Sequence, residues 1–150
     1  MSAVAIRFLE SRDIPEILRI QSSSREAAQW SQSAYENLEG PGQQAWVAEH
    51  EGHLVGFLAA RVMASEIEIL NLAVDPSVRR EGIGCALLRE ALSWAVQSGA
   101  GRAFLEVRVS NAPARQFYEA HGFASAGVRA NYYRDPIEAA LLLTCNLGRK

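Results

Sequence analysis

The hydrophobic pattern changes period once between residues 66 and 98, and that change limits the architectures open to the chain. Glu66 to Val74 reads as a strand, and Asp75-Pro-Ser-Val-Arg-Arg-Glu-Gly-Ile-Gly-Cys-Ala-Leu-Leu88 runs from a loop into a helix. From Ile83 to Ser98, residues Ile83, Leu87, Leu88, Ala91, Leu92, Ala95 and Val96 form one helical stripe, and Gly99 stands where a C-cap belongs. A strand feeding a helix through a glycine-bearing loop calls for a sheet with helices packed on its faces.

The flanking segments fit that class. Val4 to Leu9 reads as a short strand, and Ser11 or Asp13 can cap a helix carrying Ile14, Ile17 and Leu18. Trp30 to Leu38 suggests a second short helix, with Ser33 and Glu36 spaced as a capping box and Glu39-Gly-Pro-Gly42 ending it. Gln44 to Glu49 and Leu54 to Val62 flank His50-Glu-Gly-His53, a hairpin-length turn, and together with Glu66 to Val74 they predict an antiparallel meander. After the long helix come a strand over Ala103 to Val107, a helix capped by Asn111 and closed by Gly122, and strands over Gly127 to Tyr133 and Ala139 to Leu147. The predicted order is β-α-α-β-β-β-α-β-α-β-β, an α/β (α+β) fold with a mixed sheet of about seven strands and about four helices on its faces. No repeat, low-complexity tract or linker interrupts it, so one domain over residues 1–150 is expected.

Composition narrows the function. The chain has 17 acidic and 15 basic residues, a formal charge of -2, and 49% hydrophobic against 21% charged positions, which disfavours a general nucleic-acid surface. Any bound anion must therefore be met by a local site. No run approaches the length that crosses a bilayer and the start resembles no signal peptide, so a cytoplasmic protein without a membrane partner is expected. Cys85 and Cys145 lack metal or redox spacing and read as reduced thiols. His50 and His53 sit in a turn without further ligands, and no metal is expected there.

A helix beginning at Gly82 leaves its first N–H groups without internal partners and so favours an anion. Gly82 and Gly84 allow close backbone approach, Arg79 and Arg80 add charge, and several convergent N–H groups suit a pyrophosphate. GxxxxGK[ST] is absent. A dinucleotide fingerprint lacks its third glycine, Leu87 standing there, although Glu106 lies near the distance of a ribose-binding acid. The remaining pattern is [Q/R]xxGx[G/A], met by Arg79-Arg-Glu-Gly82-Ile-Gly84.

In this context the chain resembles the GNAT superfamily of acetyl-CoA-dependent N-acetyltransferases. NLAVDPSVRREGIGCALL is similar to its strand, RxxGxG loop and helix, and LEVRVSNAPARQFYEAHGF to its following strand and helix ending in a YExxGF box. LEVRxSN followed by NYYRDPIEAALLL, with Trp30-Ser31 where PWS is found, resembles the RimI-type subgroup, which acetylates the N-terminal alanine of a small-subunit ribosomal protein. Gln29 replaces that subgroup's proline, and Glu138-Ala139-Ala140 replaces its Glu-Asp-Ala; both segments flank the acceptor groove in this family.

The resemblance implies acetyl-CoA as co-substrate, no metal, and direct transfer to a primary amine. Freeing an α-amine of its proton at pH 7 costs about 1 kcal/mol and a lysine roughly 3 kcal/mol more, so an N-terminus needs only a modest base. Strand alternation puts Glu106 on the face of Phe104, where apolar neighbours would raise a carboxyl; it reads either as a base or as an acid paired with Arg108 or another arginine. Tyr118 shares a helical face with Ala114, Phe117 and His121 and reads as core or as the acid that protonates the departing thiolate. The resemblance favours the catalytic role for both. It also implies cofactor contacts from Leu72, Ala73 and Val74, whose N–H groups would meet the pantetheine arm and acetyl carbonyl, from Arg79, Arg80, Glu81, Gly82, Ile83, Gly84 and Cys85, and from Asn111. Trp30, Tyr132 and Tyr133 are candidates for the acceptor side. A small-molecule amine or lysine acceptor and a non-catalytic acyl-CoA-binding module are the competing functions.

Overall fold

The computed structural model describes residues 4–24, 27–38, 42–78, 82–134 and 136–147. In chain order its elements are β1 (Ala5–Phe8), α1 (Ile14–Ser22), α2 (Gln32–Glu36), β2 (Gln43–His50), β3 (His53–Met63), β4 (Glu66–Val74), α3 (Ile83–Gln97), β5 (Arg102–Arg108), α4 (Ala112–Ala120), β6 (Ala124–Tyr133) and β7 (Glu138–Asn146). The strands form one seven-stranded sheet in the order β1-β2-β3-β4-β5-β7-β6. The first four are antiparallel, as the meander pattern predicts, and β5, β7 and β6 form a second antiparallel set. Between these sets β4 and β5 run parallel, paired only over Glu66↔Arg102, Ile67↔Ala103 and Glu68↔Phe104.

The helices divide between the faces. One core holds Leu58, Ile67 and Ile69 of the meander, Leu87 and Leu88 of α3, Leu105 and Leu143 of the second set, and Tyr118 of α4. On the opposite face Ile17, Ile20 and Tyr35 of α1 and α2 pack on Val47, Phe57 and Ala73. The α3 stripe is buried at Ile83, Leu87, Leu88, Ala91 and Ala95, while Val96 stays exposed, because 100° per residue carries it past the line through Ala91 and Ala95.

Glycine fixes the backbone at the expected β2–β3 turn. Glu51 and Gly52, both at positive φ, form the two-residue turn of the β2–β3 hairpin. Most strand ends fall within a residue of expectation, and three local details differ from it in ways that have a physical reason. The cap of α2 is Ser31, whose Oγ accepts from the Ala34 N–H at 3.2 Å, rather than Ser33. Asp13, one of the two cap candidates, does occupy the N-cap position of α1, but its side chain makes no cap bond to that helix; its carboxylate accepts from the Glu10 N–H at 2.8 Å and from Arg7. Strand β6 starts at Ala124 rather than Gly127, because pairing with β7 recruits the polar Ala124-Ser125 pair that period alone leaves out.

Candidate active site

A β-bulge opens the sheet. Ala59 faces Asn71 but Ala60 faces Ile69, so Leu70 is an extra residue in β4, two positions beyond the last β4–β5 pair. Ile67 and Ile69 face the α3 core; after the bulge Leu72 and Val74 do so, and Asn71 and Ala73 turn to α1 and α2. The strands separate there into a cleft of about 500 Å³. The Asp75 N–H donates to Val55 at 2.8 Å, which fixes Ala73 as the residue bonded to β3 and points the backbone groups of Leu72 and Val74 toward the cleft. Of the three residues expected to present N–H groups there, alternation thus leaves Leu72 and Val74. The Leu72 N–H already donates to Asn71 Oδ1 at 3.0 Å.

The start of α3 closes one end of the cleft with Gly82, Ile83, Gly84 and Cys85. The first intrahelical bond is Ala86 N–H to Gly82, so the N–H groups of Ile83, Gly84 and Cys85 have no helical partner. The two glycines serve different ends. Gly82 has φ +81° with open space about it, whereas a Cβ on Gly84 would lie 3.3 Å from the Phe117 ring. Gly84 is therefore needed for α3–α4 packing as well as for approach to the backbone. Arg79, Arg80 and Glu81 lie outside the described residues.

Helix α4 carries Tyr118. Asn111 caps it, Oδ1 accepting from the Ala114 N–H at 3.2 Å. At its other end Gly122 has φ +94°, the Phe123 N–H donates to the Tyr118 carbonyl at 3.1 Å and the Gly122 N–H to Glu119 at 3.2 Å, a Schellman motif. The hydrophobic contact such a motif makes is Tyr118 against Phe123, centroids 5.3 Å apart, with Phe117 on another side at 5.1 Å. The string YEAHGF thus encodes the rigid seating of one phenol beside the cleft. Burial raises the Tyr118 phenol well above its ordinary value, and its hydroxyl makes no hydrogen bond among the described residues.

Glu106 belongs to the alternate face of β5, the one turned away from the α3 core, and also lines the cleft. The apolar setting expected for it is not what surrounds it: Arg129 Nη1 donates to both carboxylate oxygens, at 2.9 and 3.2 Å. Arg108 pairs elsewhere, with Glu138 at 3.3 Å. Arg129 also lies over the Tyr132 ring, 4.7 Å from its centroid. Tyr132 is half exposed and off the cleft, and burial followed by the Glu106 carboxylate raises its phenol. Tyr133 does line the cleft, burial pushing its phenol up to about 12. Trp30 does not; it stacks on Tyr35 at 5.1 Å, and its carbonyl accepts from Gln21. Gln29 donates to the Gln21 carbonyl at 2.9 Å, closing the end of α1.

The structure therefore brings Leu72, Ala73, Val74, Gly82, Ile83, Gly84, Cys85, Glu106, Asn111, Tyr118 and Tyr133 to one cleft. It adds two groups that pattern reading missed. Asn71 is a buried amide in an apolar strand, a signal that was there to use. Arg108 donates to the carbonyls of Pro136 at 3.0 Å and Arg134 at 2.8 Å and lies over the Tyr133 ring, fixing the β6–β7 connection; nothing local announces that role. Among the described residues no three His, Cys, Asp or Glu side chains converge on a metal position, and no helix is long and apolar enough to cross a membrane.

Known proteins share this arrangement. The acetyltransferase (GNAT) family profile matches residues 10–123. The ribosomal protein bS18-alanine N-acetyltransferase of Escherichia coli (strain K12) is 34% identical over 128 residues, 85% of this chain and 86% of that one. A Bacillus subtilis (strain 168) protein named provisionally for the same activity is 36% identical over 141 residues, 93% of each chain. The crystal structure of the ribosomal-protein-S18-alanine N-acetyltransferase from Escherichia coli superposes with a TM-score of 0.87 at 31% identity, covering 99% of this chain and 96% of that one. A split seven-stranded sheet with an anion-ready helix at its cleft and a family match over most of its length make this chain a member of the GNAT family and an acetyl-CoA-dependent N-acetyltransferase.

Proposed function

We propose that this chain acetylates the N-terminal α-amine of a protein in the cytoplasm, with a ribosomal protein such as bS18, beginning at alanine, as acceptor. The observation that carries the reading is one cleft lined by Glu106 and Tyr118, which reach it from opposite faces of the sheet. The α3 N-terminus, whose first N–H groups have no partner within the helix, and left-handed Gly82 suit the pyrophosphate of acetyl-CoA, and Arg79, Arg80 and Glu81 complete that loop in sequence. Leu72 and Val74 turn their backbone edge toward the space the pantetheine arm would take, the Leu72 N–H being shared with Asn71 Oδ1 and the Val74 carbonyl with the Ser24 hydroxyl, and Asn111 stands at the second helix start. The acceptor approaches from the side of Glu106 and Tyr133.

Glu106 accepts a proton from the ammonium. The neutral amine then attacks the acetyl carbonyl carbon, the carbon–sulfur bond breaks, and the Tyr118 hydroxyl gives its proton to the departing sulfur; the attacking nitrogen sheds its surplus proton, which restores the Tyr118 hydroxyl, and Glu106 passes the proton it took to solvent. Its raised phenol is a weak acid toward a hydrated thiolate; transfer becomes favourable because the thiolate forms in an apolar cleft that solvates it poorly. Direct transfer leaves no task for a nucleophile, which agrees with half-buried Cys85 as a packing residue.

Thiol release from acetyl-CoA is measured with a peptide bearing a free N-terminal alanine, the same peptide N-blocked and carrying one lysine, spermidine, and an aminoglycoside. Preference for the free α-amine is expected. Preference for lysine or either small amine overturns the acceptor. Glu106→Gln and Tyr118→Phe should each lower kcat by roughly 10²-fold or more with the acetyl-CoA Kd kept within about threefold; unchanged kcat in both removes their assigned roles.

A further inference from the structure

Asn71 is 5% exposed and stands on β4 directly after the bulge, between the two walls of the cleft. Its carboxamide is saturated. Oδ1 accepts from the N–H groups of Ala28 and Leu72, both at 3.0 Å, and Nδ2 donates to the Ala28 carbonyl and the Tyr35 hydroxyl, both at 3.0 Å. The paired bonds to Ala28 imitate a rung of a β-ladder, yet among the described residues no backbone bond ties residues 27–30 to β4. Gln21 and Gln29 tie residues 27–30 to the end of α1, and Asn71 ties them to β4, so this amide sets the distance between the sheet and Ala27 and Ala28, which line the cleft on the α1–α2 side. The same oxygen orients Leu72 N–H, one of the two residues whose backbone faces the cleft.

We propose that Asn71 is a positioning residue for acetyl transfer, setting the acceptor-side wall through Ala28 and the cofactor-side edge through Leu72 with a single amide. Removing it releases both walls near the reacting atoms. The pyrophosphate end of the site, built on α3 and joined to Asn71 by none of these bonds, keeps its geometry. A purely structural amide would behave otherwise: its loss would lower stability and activity together, as would any damage to the buried network it shares with Tyr35 and Gln21.

Tyr35→Phe provides that comparison, because it breaks the same network and leaves both Ala28 bonds and the Leu72 bond intact. The inference rests on the acceptor side assigned above, so the assay uses whichever amine of the panel the wild-type chain turns over; a wrong acceptor then leaves the comparison in place. Asn71→Ala, Asn71→Asp and Tyr35→Phe are measured for kcat and KM toward that amine, for acetyl-CoA Kd, and for Tm. We expect kcat/KM to fall about 30-fold or more in Asn71→Ala, roughly 3- to 10-fold in Asn71→Asp, which keeps both accepting bonds, and under about threefold in Tyr35→Phe, with acetyl-CoA Kd within about threefold throughout. Equal losses in Asn71→Ala and Tyr35→Phe, or a weakened acetyl-CoA Kd that accounts for the loss, overturn it. If Asn71→Ala does not fold, an Asn71→Asp variant no less active than Tyr35→Phe overturns it as well.

Discussion

Tyr118 keeps its proton because the folded chain buries it, and the same burial makes the phenol a pH-dependent contributor to stability. Its folded-state pKa lies above the unfolded one, so the contribution is whole below about pH 10 and is lost as pH rises through the folded value. Tyr118→Phe should therefore flatten part of the alkaline fall in stability seen by urea denaturation, and kcat should show no limb from this phenol below about pH 10. Asp13 has the opposite sign. Burial alone would raise its carboxyl, but Arg7 at 2.8 and 2.9 Å and the Glu10 N–H hold it below the ordinary value. That stability is present above the unfolded pKa of about 4 and is lost as pH falls through the lower folded value. Asp13→Asn should remove this acid-side slope and cost about 1–3 kcal/mol at pH 7, read from denaturation series between pH 3 and 7. Sequence reading singled out Glu106 and Tyr118 because their neighbours form recognisable strings. It offered Ser11 or Asp13 as the cap of α1 and Asp13 does hold that position, but the ion pair its carboxylate makes was not legible, because Arg7 lies in a separate strand and only folding brings the two together.

At the scale of elements, glycine positions were legible but their reasons were not. Pattern alone assigned one task to Gly82 and Gly84, anion approach. The φ of +81° at Gly82 belongs to the loop itself, while the constraint at Gly84 comes from Phe117, over thirty positions away on α4. A double-mutant cycle separates them. Gly84→Ala should destabilise by about 1–3 kcal/mol through the Phe117 ring, and Phe117→Leu, which removes the ring edge, should suppress part of that cost. Gly82→Ala should cost roughly 1–2 kcal/mol of backbone strain that Phe117→Leu leaves untouched. Additive losses at Gly84 and Phe117 in thermal denaturation would show that the contact does not constrain α3. The short helix α2 teaches a related lesson: Ser31 and Ser33 are equally good cap types, and only the extended backbone of Ser31, φ -78° and ψ 164°, decides between them.

Across the whole molecule the sheet is nearly two sheets, joined by the three β4–β5 pairs. What unites them is the core beneath α3, which takes Leu58 and Ile67 from one set and Leu105, Leu141 and Leu143 from the other. We therefore propose one cooperative domain, for which calorimetry should show a single transition. The chain order of the elements and the meander were readable from period and turns, whereas the β5-β7-β6 arrangement and the cleft were not; the one local trace of the bulge is that the apolar alternation of β4 passes from odd positions, Ile67 and Ile69, to even ones, Leu72 and Val74. Leu70 supplies a direct test. Deleting it leaves Ile67 and Ile69 on the α3 face and returns Asn71 and Ala73 to the opposite one, since a bulge places two successive residues against one partner. The shortened β4 keeps its side-chain pattern but loses the kink that ends its pairing with β5. The deletion variant should remain folded, with one thermal transition, while its acetyl-CoA Kd weakens by about tenfold or more as the strands close over the site. A folded variant that binds acetyl-CoA as tightly as wild type would mean that the cleft is held open from the helices rather than by the bulge.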